Sequence, residues 1–83
     1  MTYEIFYKPS AVKELEDLPK KFQTKVLQAV EALRKGDFYK VEKLRGQEGF
    51  YRGKRAWPYR ILFILEEGHI KITNIAHRQG VYK

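Results

Sequence analysis

Cysteine is absent from this chain of 83 residues, and histidine and tryptophan occur only twice and once. Without thiols the protein forms no disulfide, performs no thiolate chemistry and has no zinc site built on cysteine. Two histidines are also a poor supply of ligands for a catalytic metal. The sequence therefore predicts a protein that works without a metal or any other cofactor.

Long hydrophobic runs are missing as well. The longest, residues 61–65, is far too short to span a membrane. The first residues, Met1-Thr2-Tyr3-Glu4, lack the basic region and the apolar run of a signal peptide. We therefore expect a cytoplasmic protein that makes no use of a membrane.

The chain has enough apolar residues to form a core, but only a small one. Apolar residues make up 43% of the sequence and aromatic residues 14%, which is too much for a disordered tail. The length predicts a single domain over residues 1–83. A domain of this size buries only roughly 60–65% of the surface of its unfolded chain. Function is therefore expected on an open face or in a shallow groove.

Acidic residues are scarce in the second half of the chain. Residues 1–37 carry seven basic and six acidic side chains, whereas residues 38–83 carry ten and four, so that most of the net charge of +7 lies there. Such a one-sided excess favours a polyanionic partner, either a nucleic acid or an acidic protein. The alternative is a basic protein whose charge only keeps it soluble.

The first half predicts one strand followed by two helices. Residues 2–7 alternate with the period of a strand, and Pro9 ends it, with Ser10 as the expected N-cap of a short amphipathic helix. Pro19 interrupts that helix and is expected to be the first residue of a second one. Gly36 supplies the C-terminal cap. Two helices joined by so tight a break form a helical hairpin.

The second half predicts a polar connection over residues 37–47 and then three strands. These strands are Phe50–Ala56, Tyr59–Glu66 and residues 69–76. The middle one is apolar on both faces and is expected to be central, and Glu67-Gly68 predicts a hairpin turn after it. The predicted fold is α+β, in the order β-α-α-β-β-β. It consists of one antiparallel-type sheet of about four strands, with the helical hairpin packed on one face.

Two places in the third predicted element depart from a regular strand. Gly53 and Arg55 fall on the face where a packed strand carries apolar residues, which indicates a bulge or an early strand end. Trp57 stands beside Pro58 at the break between two strands. We expect Trp57 to cap the core, with contact to a partner as the alternative.

Four basic residues are expected to converge at one end of the open face. Alternation puts Arg52 and Lys54 on the same side of their strand, while Arg60 and Arg78 lie at the matching end of the two neighbouring strands. Tyr82 is expected beside them. Guanidinium groups bind phosphate in a bidentate manner, and tyrosine offers a surface for an unpaired base. The alternative is a scattered basic surface that protects a sheet edge from aggregation.

Four short motifs follow one another in the second half of the chain. They are Lys43-Leu44-Arg45-Gly46, Tyr51-Arg52-Gly53-Lys54, Tyr59-Arg60-Ile61 and His77-Arg78-Gln79-Gly80-Val81-Tyr82. In this order and at these spacings the chain resembles the RelE/ParE superfamily of small bacterial toxins. The resemblance extends over essentially the whole chain and includes the order of its helices and strands.

The resemblance implies the toxin of a type II toxin–antitoxin system. In the RelE branch such a toxin enters the ribosomal A site and cuts messenger RNA without a metal. The 2′-hydroxyl of the messenger attacks the adjacent phosphate, leaving a cyclic phosphate and a free 5′-hydroxyl. The residues that this branch would use are Arg52, Lys54, Arg60, Arg78 and Tyr82. The RNA-binding candidates are Lys43, Arg45, Arg52 and Arg55.

The roles within the implied site follow from side-chain chemistry. Arg60 is expected to bind the phosphate as its charge develops, and Arg78 to contact the phosphate or the leaving oxygen. Lys54 is the preferred proton acceptor, because lysine can lose its proton among other cations, whereas the guanidinium of Arg52 stays charged. Some relatives have lysine at position 52, so the identity of the base stays open. His77 is the alternative, since imidazole titrates near neutrality.

The resemblance also implies a partner. A cognate antitoxin, RelB-like, is expected to wrap the toxin with a helical and often acidic segment in a hetero-oligomer. It would neutralise Arg52, Lys54 or Arg78, or shift the C-terminal tail, and so block entry to the ribosome. The ParE branch shares the fold but inhibits DNA gyrase and generally lacks the full basic and tyrosine set, which favours the RelE branch. A gyrase inhibitor without nuclease activity and a non-catalytic RNA-binding relative remain alternatives.

Overall fold

The computed structural model describes residues 2–46 and 48–79 of the chain. In chain order the elements are β1 (Glu4–Tyr7), α1 (Pro9–Glu16), α2 (Lys20–Arg34), β2 (Val41–Lys43), β3 (Phe50–Ala56), β4 (Tyr59–Glu66) and β5 (His69–His77). The predicted α+β class and the helical hairpin are confirmed. Within the described residues, neither helix has the length and apolar character that crossing a membrane requires.

The sheet has five strands and is mixed, where about four antiparallel ones were predicted. Its order is β1-β5-β4-β3-β2, so β4 lies in the middle, as its apolar faces indicated. β1 runs parallel to β5, and the other neighbours are antiparallel. The additional strand, β2, lies within the predicted polar connection. It is only three residues long, which is too short to show a strand period in the sequence.

The helix starts differ from the prediction by two residues for α1 and by one for α2. Pro9 is the first residue of α1 and Lys8 its N-cap, so the expected N-cap at Ser10 is wrong. Proline suits a first turn because the missing N–H would have no partner there. Pro19 is the N-cap of α2 rather than its first residue. The predicted cap at Gly36 has φ of 85°, the left-handed region that glycine enters without strain.

The core lies between the helical hairpin and one face of the sheet. The largest fully buried side chains are Val26 of α2 and Ile61, Phe63, Ile70 and Ile72 of β4 and β5. They meet the helices through the period-two alternation of the strands and the three-to-four-residue spacing of the helix. The opposite face of the sheet has no helix over it in the described residues, and Arg52, Lys54 and Arg60 lie there.

A register shift between Gly53 and Ala56 explains the irregular end of β3. Both residues are buried against the core, so the two residues between them project to opposite sides of the sheet. Lys54 contacts Glu42 on the open face, while Arg55 contacts Asp37. The expected bulge is therefore present, and it separates two neighbouring cations.

Candidate functional site

A shallow pocket of about 330 Å³ opens at the end of the sheet formed by the turn between β3 and β4. Three cations and one aromatic ring line it: Lys40, Lys54, Arg60 and Trp57. We call this the basic pocket. The sequence analysis placed Lys54 and Arg60 at this end of the sheet, but not Lys40 or Trp57.

Trp57 brings two arginines together beside the basic pocket. The guanidinium carbon of Arg60 lies 5.3 Å from the centroid of the Trp57 ring, and that of Arg78 lies 4.8 Å from it. Trp57 is 52% exposed, so the expectation that it caps the core is wrong. The residues around the turn already fill the core there, with Ala56 fully buried. The indole therefore lies over the arginines instead.

Arg60 is the buried cation of this site. It is only 8% exposed, and its Nε atom is buried without a hydrogen-bond partner among the described residues. A buried donor without a partner costs about 1–3 kcal/mol. Arg60 also lines the basic pocket, where a bound anion can contact its guanidinium group. The residue is thus chemically suited to hold a phosphate.

Arg78 is tied to the same turn through its backbone. Its N–H donates to the carbonyl oxygen of Pro58 at 2.8 Å, which fixes the segment after β5 against the end of β4. Arg78 and Arg60 therefore approach the indole from two anchored strands. Both side chains lie where the alternation of β4 and β5 predicted them.

Glu42 joins the remaining two predicted cations. It faces Arg52 across the β2–β3 pair and accepts from Arg52 Nε at 2.8 Å and from Lys54 Nζ at 3.3 Å. The hydrogen bond from Arg52, and then that from Lys54, lower the pKa of the Glu42 carboxyl from its ordinary value. The sequence analysis missed Glu42 because residues 37–47 were interpreted as a connection.

Glu42→Gln is expected to lower the melting temperature by about 2–5 °C near neutral pH, since a partly exposed ion-pair network contributes little. The folded carboxyl has the lower pKa, so its stabilising effect is present above the ordinary pKa of glutamate. It is lost as the pH falls through the lowered value. Thermal unfolding of both proteins from pH 7 into the acid range measures this. A difference that persists at the acid end would contradict the assignment.

His77 projects to the other face of the sheet. It pairs with Tyr59 in the β4–β5 register, and their rings meet edge to face at 5.4 Å. Tyr59 in turn packs against Phe22 of α2, which places this pair on the helix side. Arg60 is the next residue along β4 and faces the opposite way. The structure thus separates His77 from the basic pocket.

The RNA-binding candidates are spread over different surfaces. Arg55 donates to Asp37 at 2.9 Å and lies 5.7 Å from the ring centroid of Tyr39. The hydrogen bond from Arg55 is the main reason that the pKa of Asp37 is lowered. Lys43, at the end of β2, and Arg45, in the following turn, are exposed. None of these three lines the basic pocket.

One predicted residue lies outside the described part of the chain, and one residue that was not predicted lines the basic pocket. Tyr82, the expected base-stacking residue, lies outside the described residues. Lys40, which the sequence analysis did not single out, lines the basic pocket, and its carbonyl oxygen accepts from the backbone N–H of Lys54 at 3.0 Å. The backbone of Lys40 has φ of 60°, a loop conformation that no strand or helix period signals.

Within the described ranges, no group of three or more histidine or acidic side chains is arranged to hold a metal ion.

Sequence comparisons with models of protein families and with curated proteins give no significant match. Solved structures are similar over almost the whole chain. The RelE–RelB complex of Pyrococcus horikoshii contains a chain with 29% identity and a TM-score of 0.75, the match covering 94% of this protein and 97% of that chain.

Two bacterial structures share the fold at lower identity. The RelBE2 toxin–antitoxin complex of Mycobacterium tuberculosis matches with 23% identity and a TM-score of 0.80, covering 94% of this protein and 100% of that chain. The YoeB dimer of Staphylococcus aureus matches with 20% identity and a TM-score of 0.76, covering 93% and 98%. The resemblance predicted from the sequence motifs is thereby confirmed, and the chain has the fold of the RelE-superfamily toxins.

Proposed function

We propose that this protein is the toxin of a toxin–antitoxin pair and cleaves messenger RNA in the ribosomal A site without a metal. The observation that carries the proposal is the gathering of Lys54, Arg60 and Arg78 around one solvent-open pocket. The excess of basic residues in the second half of the chain supports a polyanionic substrate. The similarity to RelE, RelBE2 and YoeB structures supports the toxin role.

The proposed reaction is an intramolecular transfer of the phosphoryl group. The 2′-oxygen of one nucleotide forms a bond to the adjacent phosphorus, and the bond from phosphorus to the 5′-oxygen breaks. The 2′-hydroxyl gives up its proton to a base, and the departing 5′-oxygen takes one up. Charge grows on the phosphoryl oxygens in between, and fixed cations can stabilise it.

The two arginines are assigned to the phosphate. Arg60 presents a buried donor with no partner among the described residues, and Arg78 lies across the same indole ring. Bidentate guanidinium contacts suit a phosphate with two exposed oxygens. We therefore assign Arg60 to the developing charge and Arg78 to the phosphate or the leaving oxygen.

Lys54 is the proposed proton acceptor. Its ammonium group donates to Glu42 in the present structure, so it must leave that contact and give up a proton before it can act as the base. His77 remains the second candidate, although it faces the helix side, and Arg52 stays charged and contributes to substrate binding. Tyr82 would stack on or orient a base from the C-terminal tail.

The proposed partner is an acidic antitoxin with a helical segment. The RelBE2 structure is a toxin–antitoxin complex and the Pyrococcus structure a RelE–RelB complex. This chain has a net charge of +7 and a sheet face that is not covered by a helix in the described residues. An acidic segment over Arg52, Lys54 or Arg78 would compete directly with RNA. A complex in which these side chains and the tail were undisturbed would contradict this mode of inhibition.

Expression in bacteria, with mapping of RNA 5′ ends, tests the proposed function. We expect growth arrest and cuts within translated codons, both lost in Arg60→Ala and Arg78→Ala, because these variants remove the cations assigned to the phosphate. Lys71→Ala removes an exposed cation from β5, away from the basic pocket, and serves as the control. Intact messengers together with DNA-damage signalling would instead indicate a gyrase inhibitor, and the absence of any growth effect a non-catalytic relative.

A further inference from the structure

We propose that Trp57 is a positioning residue for the basic pocket. Its indole ring holds the guanidinium groups of Arg60 and Arg78 close enough together for both to contact one phosphodiester of a single-stranded RNA. The nature of the ligand rests on the proposed function. The positioning role applies to the binding of any phosphodiester strand and can be tested without cleavage.

The distances support this role. Two guanidinium groups repel each other, so a site that uses both on one phosphate needs a contact that favours their approach. Both lie within 6 Å of the same ring centroid, at 5.3 Å and 4.8 Å. The negative face of an indole attracts a cation at this distance more strongly than the ring of tyrosine or phenylalanine does. Trp57 therefore offsets the repulsion between Arg60 and Arg78.

The backbone is anchored on both sides of Trp57. Ala56, immediately before Trp57, is fully buried, and the carbonyl of Pro58, immediately after it, accepts from the N–H of Arg78. The backbone of the turn is thus anchored on both sides of the residue that carries the indole. Preorganised cations stabilise a bound anion without a cost of rearrangement.

The exposure of the Trp57 side chain argues against a mainly structural role. More than half of its surface is exposed, whereas the core residues beneath the sheet are almost completely buried. Removing the ring should weaken the binding of a phosphodiester far more than it weakens the fold. Trp57 also lines the pocket itself, together with Lys40, Lys54 and Arg60, and Arg78 lies over the same ring.

The chain contains a single tryptophan, so tryptophan emission, excited selectively over that of the six tyrosines, reports on this site alone. The probe is a short single-stranded RNA with 2′-O-methyl groups throughout, which keeps the phosphates and removes the attacking hydroxyl. We expect saturable quenching or a shift of the emission when the probe is added to the wild-type protein, and its reversal by salt.

Affinities of the variants for the same probe, labelled for anisotropy, give the decisive comparison. Trp57→Leu is expected to bind about tenfold more weakly, equivalent to ~1.4 kcal/mol, and Trp57→Phe to lie between it and the wild type. Phe6→Leu changes an exposed aromatic residue in β1, whose ring contacts His69, and is expected to bind like the wild type. Circular dichroism on every variant checks the fold.

A double-mutant cycle separates positioning from general packing. If Trp57 acts through the arginines, adding Trp57→Leu to the Arg60→Ala/Arg78→Ala protein leaves its remaining affinity unchanged. Normal binding by folded Trp57→Leu, or a full additional loss in the combined variant, would overturn the inference. If the wild-type protein cleaves no RNA but Trp57→Leu still binds the probe about tenfold more weakly, the inference is upheld and the proposed function is rejected. Trp57→Phe supplies the same comparison if the leucine variant does not fold.

Discussion

Arg60→Ala is expected to reduce cleavage of ribosome-bound messenger RNA by about a hundredfold to a thousandfold, the cost of removing one preorganised donor from a charged transition state. The guanidinium has a buried Nε donor with no partner among the described residues, and it lines the basic pocket. Alanine would leave the phosphoryl oxygens without this contact. The rate of cleavage by the purified protein on programmed ribosomes measures the effect.

Arg60→Lys is the informative companion to Arg60→Ala. Lysine keeps the positive charge but loses the fork that holds two oxygens, so it should recover only part of the activity. Lys71→Ala, on the same sheet but away from the pocket, should cleave at the wild-type rate. Because Arg60 is 8% exposed, each protein must first be shown to be folded. A folded Arg60→Ala protein with the wild-type rate would remove Arg60 from the site.

Phe63→Ala is expected to have the largest effect on stability. Phe63 is 1% exposed, lies in the middle strand of the sheet and stacks on Tyr51 with ring centroids 5.7 Å apart. Truncation of a buried phenylalanine costs about 3–5 kcal/mol, which is a large share of the roughly 5–15 kcal/mol that stabilises a small domain. Thermal unfolding should occur at least about 12 °C below the wild type.

The control for this prediction is Phe6→Ala. Phe6 lies in β1 and is 48% exposed, so its truncation leaves no cavity in the core and should change the free energy of unfolding by less than ~1 kcal/mol. Urea denaturation of the three proteins compares the two substitutions directly. Equal losses would show that the core is not where the structure places it.

β3 and β4 were predicted with the correct ends, because the Trp57-Pro58 break and the Glu67-Gly68 turn mark where β4 begins and ends. β1 alternates clearly, but it begins at Glu4, two residues later than predicted. β2 could not be predicted in this way. It is formed by pairing Glu42 with Arg52, ten residues further along the chain, and its own three residues carry no period. The parallel pairing of β1 with β5 is likewise decided by the whole sheet.

The candidate site, like the sheet, was predictable where a local sequence pattern decides the position of a residue and not where distant parts of the chain decide it. Side-chain alternation sufficed to place Lys54, Arg60 and Arg78 at one end of the sheet. Trp57 was expected to cap the core, because a turn residue has no preferred face and its position over the arginines depends on three-dimensional packing. The neutralising carboxylate of Glu42 depends on the strand that the sequence did not reveal.

The chemistry of the cut ends tests the central claim most directly. Purified protein is added to intact ribosomes carrying a defined messenger, and both new ends are analysed. The account predicts a 2′,3′-cyclic phosphate on one fragment and a free 5′-hydroxyl on the other, with neither product formed by Arg60→Ala. No cleavage by the wild-type protein, fragments that carry a 5′-phosphate, or undiminished cleavage by the folded variant would contradict it.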